Sequence, residues 1–400
     1  MTAQASELQA RLIDLFGNPL TADPTQLMGN LMVSPAGNIL IGTQVDNGTD
    51  KLQVNGTVKS LAGGYVFPDG TKQASGASGR NRIINGDCRI AQRGSSVVAG
   101  TGYTYGGPDR FLCMNSGGQG AFTQSTGTIS YGGVSRPAVV QTINTAIPSF
   151  AAASVFSGIQ QIIEGLNAYD LANQPITASF IFSTNVTGLY SVTLVDNNGA
   201  HACIKTFSAT ANTPAFVSVT FPAYALNIPS NNAAGLYLAV GAIGGTNCQT
   251  AAIDAWQSVN KQMASTAVNW ATTVNNFISL TELQVEAGTV ATPFERRPYQ
   301  QELLLCQRYY QTDSVVVLPS RSDFHSPLMY KTPMRSAASV YWKSAGTGAN
   351  GYVRDNDNAR DVPVTSAGGT TTFCYPVCGG SPSLAINANT TFQYTASAEF

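Results

Sequence analysis

The sequence predicts an all-β chain: a short N-terminal helix, an intertwined β shaft, a jelly-roll β-sandwich and a smaller C-terminal β domain. Three observations point there. Apolar residues come in short bursts that alternate with polar ones, the period-two signature of half-buried strands. Clusters of Gly, Pro, Asn and Asp separate the bursts and supply turn chemistry. Sustained helical periodicity is confined to the N-terminal segment and to Gln301–Gln311, where Leu303, Cys306 and Tyr310 share a stripe.

Residues 1–27 form the first element. Ser6 with Gln9 makes a capping-box pattern, and Leu8, Leu12, Leu15 and Phe16 recur at helical spacing before Gly17 and Pro19 stop the helix. About three turns of helix are marginal alone. Docking of this stripe on another chain is therefore expected, with packing inside the same chain as the alternative. Residues 28–79 read as short strands carrying Ile39, Ile41, Leu52 and Val54, punctuated by turns such as Asp46–Asp50. About fifty residues of this kind enclose no stable core without help. Several identical chains wound together would cover the apolar faces and the sheet edges.

Beyond the Ser/Gly stretch at 74–79, residues 80–300 carry strand patterns at Pro175–Ser183, Tyr190–Val195, Pro214–Phe221 and Gly235–Val240, as a β-sandwich or jelly roll requires. Residues 301–400 add the second helical stripe. Further strand patterns follow at Ser314–Leu318, Ala338–Trp342, Thr370–Tyr375 and Thr390–Thr395.

Composition narrows the function. The 400 residues include 21 Lys+Arg and 22 Asp+Glu, a net charge of -1, and only 11% are charged. An average soluble domain carries about 25%. Such a chain offers no electrostatic footprint for nucleic acid or an anionic membrane surface. An apolar fraction of 43% is too high for global disorder. The N-terminus lacks the basic and apolar regions of a secretory signal, so synthesis and assembly in a cytoplasm are expected. The seven cysteines are odd in number and scattered, which argues for reduced, buried thiols over a disulfide framework. Cys374 and Cys378 are the one pair placed to meet across a turn.

The residues also resemble a family. Gly37–Gly56 and the segment Tyr65-Val-Phe-Pro-Asp-Gly-Thr-Lys-Gln are similar to shaft elements of tailed-bacteriophage fibre proteins. Asn81-Arg-Ile-Ile-Asn-Gly-Asp-Cys-Arg-Ile-Ala-Gln-Arg-Gly, with the later Pro108-Asp-Arg-Phe, resembles the opening of the carbohydrate-binding-like jelly-roll module that such fibres carry. Its usual close is similar to Leu283–Tyr299 followed by Glu302–Tyr310. Phe111 stands where that module commonly has Trp, and residues 112–250 carry no family motif.

The resemblance implies a tail fibre or receptor-binding protein: a homotrimer joined by its N-terminus to a phage tail or capsid protein. Its β domains would bind a host-surface polysaccharide or outer-membrane receptor, with the virion as its location. A head fibre or decoration protein and a polysaccharide depolymerase are the alternatives.

Candidate chemistry is sparse. His201 and His325 sit in no metal-ligand spacing. Gly346–Gly351 fits G-x-G-x-x-G but leads into a strand, so it reads as a turn. Asp355–Asp361 superficially resembles a calcium loop, yet it lacks the Gly and distal Glu and reads as a hairpin tip. Paired carboxylates for glycoside hydrolysis would come from Glu164, Asp170, Asp254, Glu282 and Glu286. Glu286 and Glu295 lie in the closing motif and are expected to serve structure. No catalytic residue, metal or cofactor is expected. Glycan binding needs aromatic faces, and the candidates are Tyr103, Tyr105, Trp256, Trp270, Tyr341, Trp342 and Tyr352. Each competes with the ordinary reading of a buried sandwich aromatic. Three weak sites on one stalk would gain avidity, so no single site need be deep.

Overall fold

A computed structural model describes residues 31–33, 38–41, 47, 49–55, 65–66, 72–73, 79–116, 122–156, 158–258, 261–317, 327–378 and 389–400. The expected N-terminal helix with Leu8, Leu12, Leu15 and Phe16 lies outside them, as does His325. The chain divides into two compact units, Met1–Gly76 and Ala77–Phe400.

In the first unit, the strand Leu31–Val33 runs antiparallel to Ile39–Ile41, which pairs in parallel with Leu52–Val54. Asn47 Oδ1 accepts hydrogen bonds from the backbone N–H groups of Thr49 and Asp50. Leu40 is buried, while Ile39, Ile41 and Leu52 stand exposed at 42%, 39% and 55%, and Val54 is half-buried. Ile39, Ile41 and Leu52 thus form an exposed apolar row on two of these short strands.

The second unit holds two β cores. The larger lies between two antiparallel sheets. A six-stranded sheet runs in the order 215–221, 176–184, 277–287, 134–143, 122–131 and 96–99. The facing sheet runs 243–244, 155–156, 112–116, 159–164, 234–240, 188–196, 202–209 and 256–257, with 102–105 pairing 112–116 as a ninth strand. Alternate residues fill the space between them. Phe122 and Phe156 stack at 3.6 Å with Trp270 edge-on, and Phe180, Phe182, Tyr190 and Phe207 form a second aromatic group.

Strand Gly188–Asp196 is buried on both faces beyond its first turns. Its outer face is covered because Thr193 donates to the Gln262 carbonyl and Ser191 accepts from Ala264 N.

The opening and closing motifs meet here. Arg82 N donates to the Val285 carbonyl, Asn81 Nδ2 and Leu283 are paired, and Arg297 Nη1 donates to the Ile83 carbonyl. Leu283 N donates to the Gly86 carbonyl. A Cβ at Gly86 would sit 2.2 Å from the Leu283 carbonyl oxygen, so only glycine permits this approach. Glu286 accepts from Thr292 N and Oγ1, and Glu295 accepts from Asn81 N. The motifs thus latch the sandwich end to end.

The helix spans Tyr299–Gln307, shorter than the periodicity of Gln301–Gln311 suggests. Tyr310 and Gln311 instead begin a strand, Tyr310–Val317, paired along its whole length with Thr390–Ser397. Strand hydrogen bonds with a distant partner override the local stripe there. The smaller core sits on the sheet ordered 310–317, 390–397, 352–355, 360–369, 373–378 and 328–329, with Ser339–Ser344 also paired to 390–397. Trp342, Val353, Val362, Phe392 and Tyr394 are buried in it.

The expected strand Thr370–Tyr375 holds from Phe373, where the strand Phe373–Cys378 begins, and is corrected before it. The chain turns at 370–372 between the strands Arg360–Gly369 and Phe373–Cys378, closed by Thr370 N to the Phe373 carbonyl at 2.8 Å. The threonine run is β-branched, which mimics a strand, but its hydroxyls bond one another across the turn. Gly346–Gly351 lies in the turn before strand Tyr352–Asp355, and Asp355–Asp361 forms a hairpin tip. The seven cysteines are all free, and Cys374 and Cys378 lie on one strand. Among the described residues no helix is long and apolar enough to cross a membrane.

Candidate functional site

Strands of the nine-stranded sheet present Cys113, Ile159, Ile163, Leu238 and Leu194 to the core. Alternation therefore sends Met114, Gln160, Tyr237 and Val195 to the opposite, outer face. Tyr103 joins them because it pairs directly with Met114, and Val195 pairs directly with Tyr237. With Gly199 and Gln262 these residues line a cleft of about 240 Å³.

Tyr103 is 52% exposed, so its ring is available at the surface. Tyr237 is half-buried; burial pushes its phenol above the ordinary tyrosine value, and the Tyr103 phenol adds to the shift. Gln160 is 5% exposed, and its Oε1 has no hydrogen-bond partner. The arrangement offers a half-exposed aromatic face, two phenols and amide groups. It offers no charged side chain.

The predicted aromatics separate into several places. Tyr103 lines the cleft. Tyr105, two residues along the same strand, lies instead beside Arg93, whose guanidinium is 5.4 Å from its ring. Trp256 is half-buried, donates Nε1–H to the Pro222 carbonyl at 2.8 Å and stacks on Tyr224.

Trp270 and Trp342 are corrections. They are 0% and 5% exposed, Trp270 donates to the Gly241 carbonyl, and Trp342 packs edge-on against Phe392. Neither has a face left for a ligand, because inward positions of a sandwich demand large apolar volume. Tyr341 and Tyr352 are exposed at 68% and 39% on the smaller sheet, on the face opposite Trp342 and Phe392.

Sequence reasoning missed Met114, Gln160, Val195, Gly199, Tyr237 and Gln262. Two signals were present. Gln160, with Gln161 beside it, interrupts the apolar run Ile159–Ile163, and Tyr237 sits out of phase with Leu236 and Leu238. Both mark an outer-face position whose partner is not encoded nearby.

The candidate carboxylates are all engaged. Glu164 accepts from Arg308 Nη2 at 2.6 Å and from Tyr309 Oη at 2.5 Å. Asp170 pairs with Arg82 at 2.7 Å, Asp254 with Lys205 at 3.0 Å, and Glu282 with Arg136 at 3.0 Å and also with Arg296. None of them lines the cleft. Asp355 is buried; burial raises its carboxyl, but hydrogen bonds from Asn358 and Arg360 outweigh this and hold it below the usual value. Its oxygens are spent within the hairpin tip. His201 Nδ1 bonds the buried Asp196 at 2.8 Å.

No family model matches the chain, and no curated protein matches it. Solved structures are similar over about half of it. The C-terminal family 22 carbohydrate binding module of Clostridium thermocellum Xyn10B is 10% identical, covering 54% of this chain and 100% of that one at a TM-score of 0.28. A CBM4 structure is 13% identical, covering 52% and 99% at 0.26. A Stig cyclase, Fisc, from Fischerella sp. TAU is 10% identical, covering 52% and 97% at 0.30. With TM-scores this low these similarities carry no functional weight, and the all-β architecture rests on the strands themselves.

Proposed function

We propose that the chain is a bacteriophage tail-fibre or receptor-binding protein, homotrimeric and virion-attached through its N-terminal segment, that binds host-surface glycan without cleaving it. The observation that carries the binding role is the outer-face cleft, where Tyr103 offers an exposed ring beside Tyr237 and two glutamines. Sugars are held by stacking of C–H faces on aromatic rings and by neutral hydrogen-bonding groups. The fibre role is supported by the resemblance of the shaft and of the motifs that latch the sandwich. The exposed Ile39, Ile41 and Leu52 suit burial between copies. A binding role over hydrolysis is supported by carboxylates that are ion-paired away from the cleft.

A glycan array probed with the full chain and with Tyr103→Ala tests the binding role. Tyr103→Ala is expected to weaken retained signals by about 5- to 30-fold, the range of 1–2 kcal/mol. Unchanged signals would remove the cleft from the reading. Light scattering should give about three times the 41.9 kDa chain mass. A stable folded monomer would rule out the trimer.

A further inference from the structure

We infer that the cleft selects neutral, hydroxyl-bearing glycans over uronate, sulfated or phosphorylated ones, with Gln160 as the group that reads a ligand hydroxyl. The inference rests on the glycan-binding reading above and narrows it to a ligand class.

The lining is Tyr103, Met114, Gln160, Val195, Gly199, Tyr237 and Gln262, and none of these carries a charge. On flanking segments, Lys205 is paired with Asp254 at 3.0 Å, and Lys261 donates to the Asn247 carbonyl at 2.7 Å. An anion entering the cleft would shed water without meeting a cation among the lining residues, which is unfavourable. The phenols of Tyr103 and Tyr237 can donate and accept, and Tyr237 is held above the ordinary tyrosine range by burial.

Gln160 supplies the positive requirement. Its side chain leaves the buried outer face between Leu112 and Ala239, with which it is paired, and reaches the cleft with Oε1 unpartnered. A buried acceptor without a donor is unfavourable until one arrives. A sugar hydroxyl donates, whereas an ionised carboxylate, sulfate or phosphate oxygen only accepts. An ionised oxygen placed against Oε1 would leave the orphan unmet and add a second acceptor against it. A neutral polyol satisfies it.

The test uses the full chain on an array carrying neutral hexose and pentose oligosaccharides, oligogalacturonates and sulfated oligosaccharides. Titration calorimetry of the strongest neutral oligosaccharide and its monodeoxy analogues follows. Neutral chains are expected to bind at least tenfold tighter than acidic ones of equal length. One monodeoxy analogue should lose about 3- to 10-fold on the natural chain, the span of a single hydrogen bond. The same analogue should lose nothing further on Gln160→Leu.

Equal or tighter binding of acidic chains that Tyr103→Ala also abolishes would overturn the selectivity while leaving the cleft as the glycan site. Full sensitivity of Gln160→Leu to the same deoxy position would overturn the role of Gln160. Array binding that ignores Tyr103→Ala, or no array binding, would overturn both the selectivity and the site. The monodeoxy series on the natural chain decides the hydroxyl requirement even if Gln160→Leu misfolds.

Discussion

The outer face of the nine-stranded sheet has two ends, and they treat polar groups in opposite ways. At one end, Arg110 is 1% exposed and pairs with Glu399, donates to the Ile162 carbonyl at 2.8 Å and lies 3.5 Å over the Tyr309 ring. Glu164 is likewise buried between Arg308 and Tyr309. At the other end, two residues along the same strand from Tyr105, Tyr103 opens onto a cleft without any charge. Where the sheet meets the helix and residues 396–400, charged side chains are held in internal ion pairs. Where these pairs are absent, neutral groups line a cleft. A buried charge is tolerated only when fully paired, so the closed end is built for cohesion and the open end for exchange.

The largest expected effect breaks the closed end. Arg110→Ala removes one of the two arginines that pair with buried Glu399 and leaves Arg93 at 3.1 Å, so the cost is about 2–3 kcal/mol, below that of a wholly unpaired buried charge. Urea unfolding should show the midpoint falling accordingly; a shift below about 1 kcal/mol would mean the pair is dispensable. At the open end, Tyr103→Ala should leave the urea midpoint within about 0.5 kcal/mol, because an exposed ring contributes little to folding. Substantial unfolding by that substitution would erase the distinction between the two ends.

The smallest effect concerns acid. Burial works to raise Glu295, but the backbone N–H groups of Asn81 and Gly79, with Arg297 and Arg80, hold it below its ordinary value of 4.5. A depressed carboxyl contributes stability that is full above the unfolded value and lost as pH falls through the folded one. Glu295→Gln should therefore flatten the stability curve below about pH 4.5. An unchanged acid slope would mean that this latch carries no linkage.

Much of the fold was legible because strand alternation is a local property. The patterns at Pro175–Ser183, Tyr190–Val195, Pro214–Phe221 and Gly235–Val240 correspond to the strands Ile176–Thr184, Gly188–Asp196, Ala215–Phe221 and Ala234–Val240. The misreadings fall where local chemistry has two solutions: Thr370–Thr372 fits a strand or a turn, and Tyr310 fits a helix or a strand. The site was far less legible. Of the predicted aromatics only Tyr103 reaches the cleft, since an aromatic in a strand looks the same whether it faces the core or the solvent.

Alternation, turn residues and low charge were fixed by the chain alone: they determined an all-β molecule with neutral surfaces, because period and composition act over a few residues. Tertiary structure decided which face of each strand is covered. Tyr103 and Tyr105 occupy equivalent positions in one short strand, and packing against Arg93 and Arg110 together with the sequence-distant Glu399 and Phe400 separates the enclosed ring from the exposed one. Coverage depends on distant segments that arrive at one end of a sheet and not the other, and no local pattern contains that information.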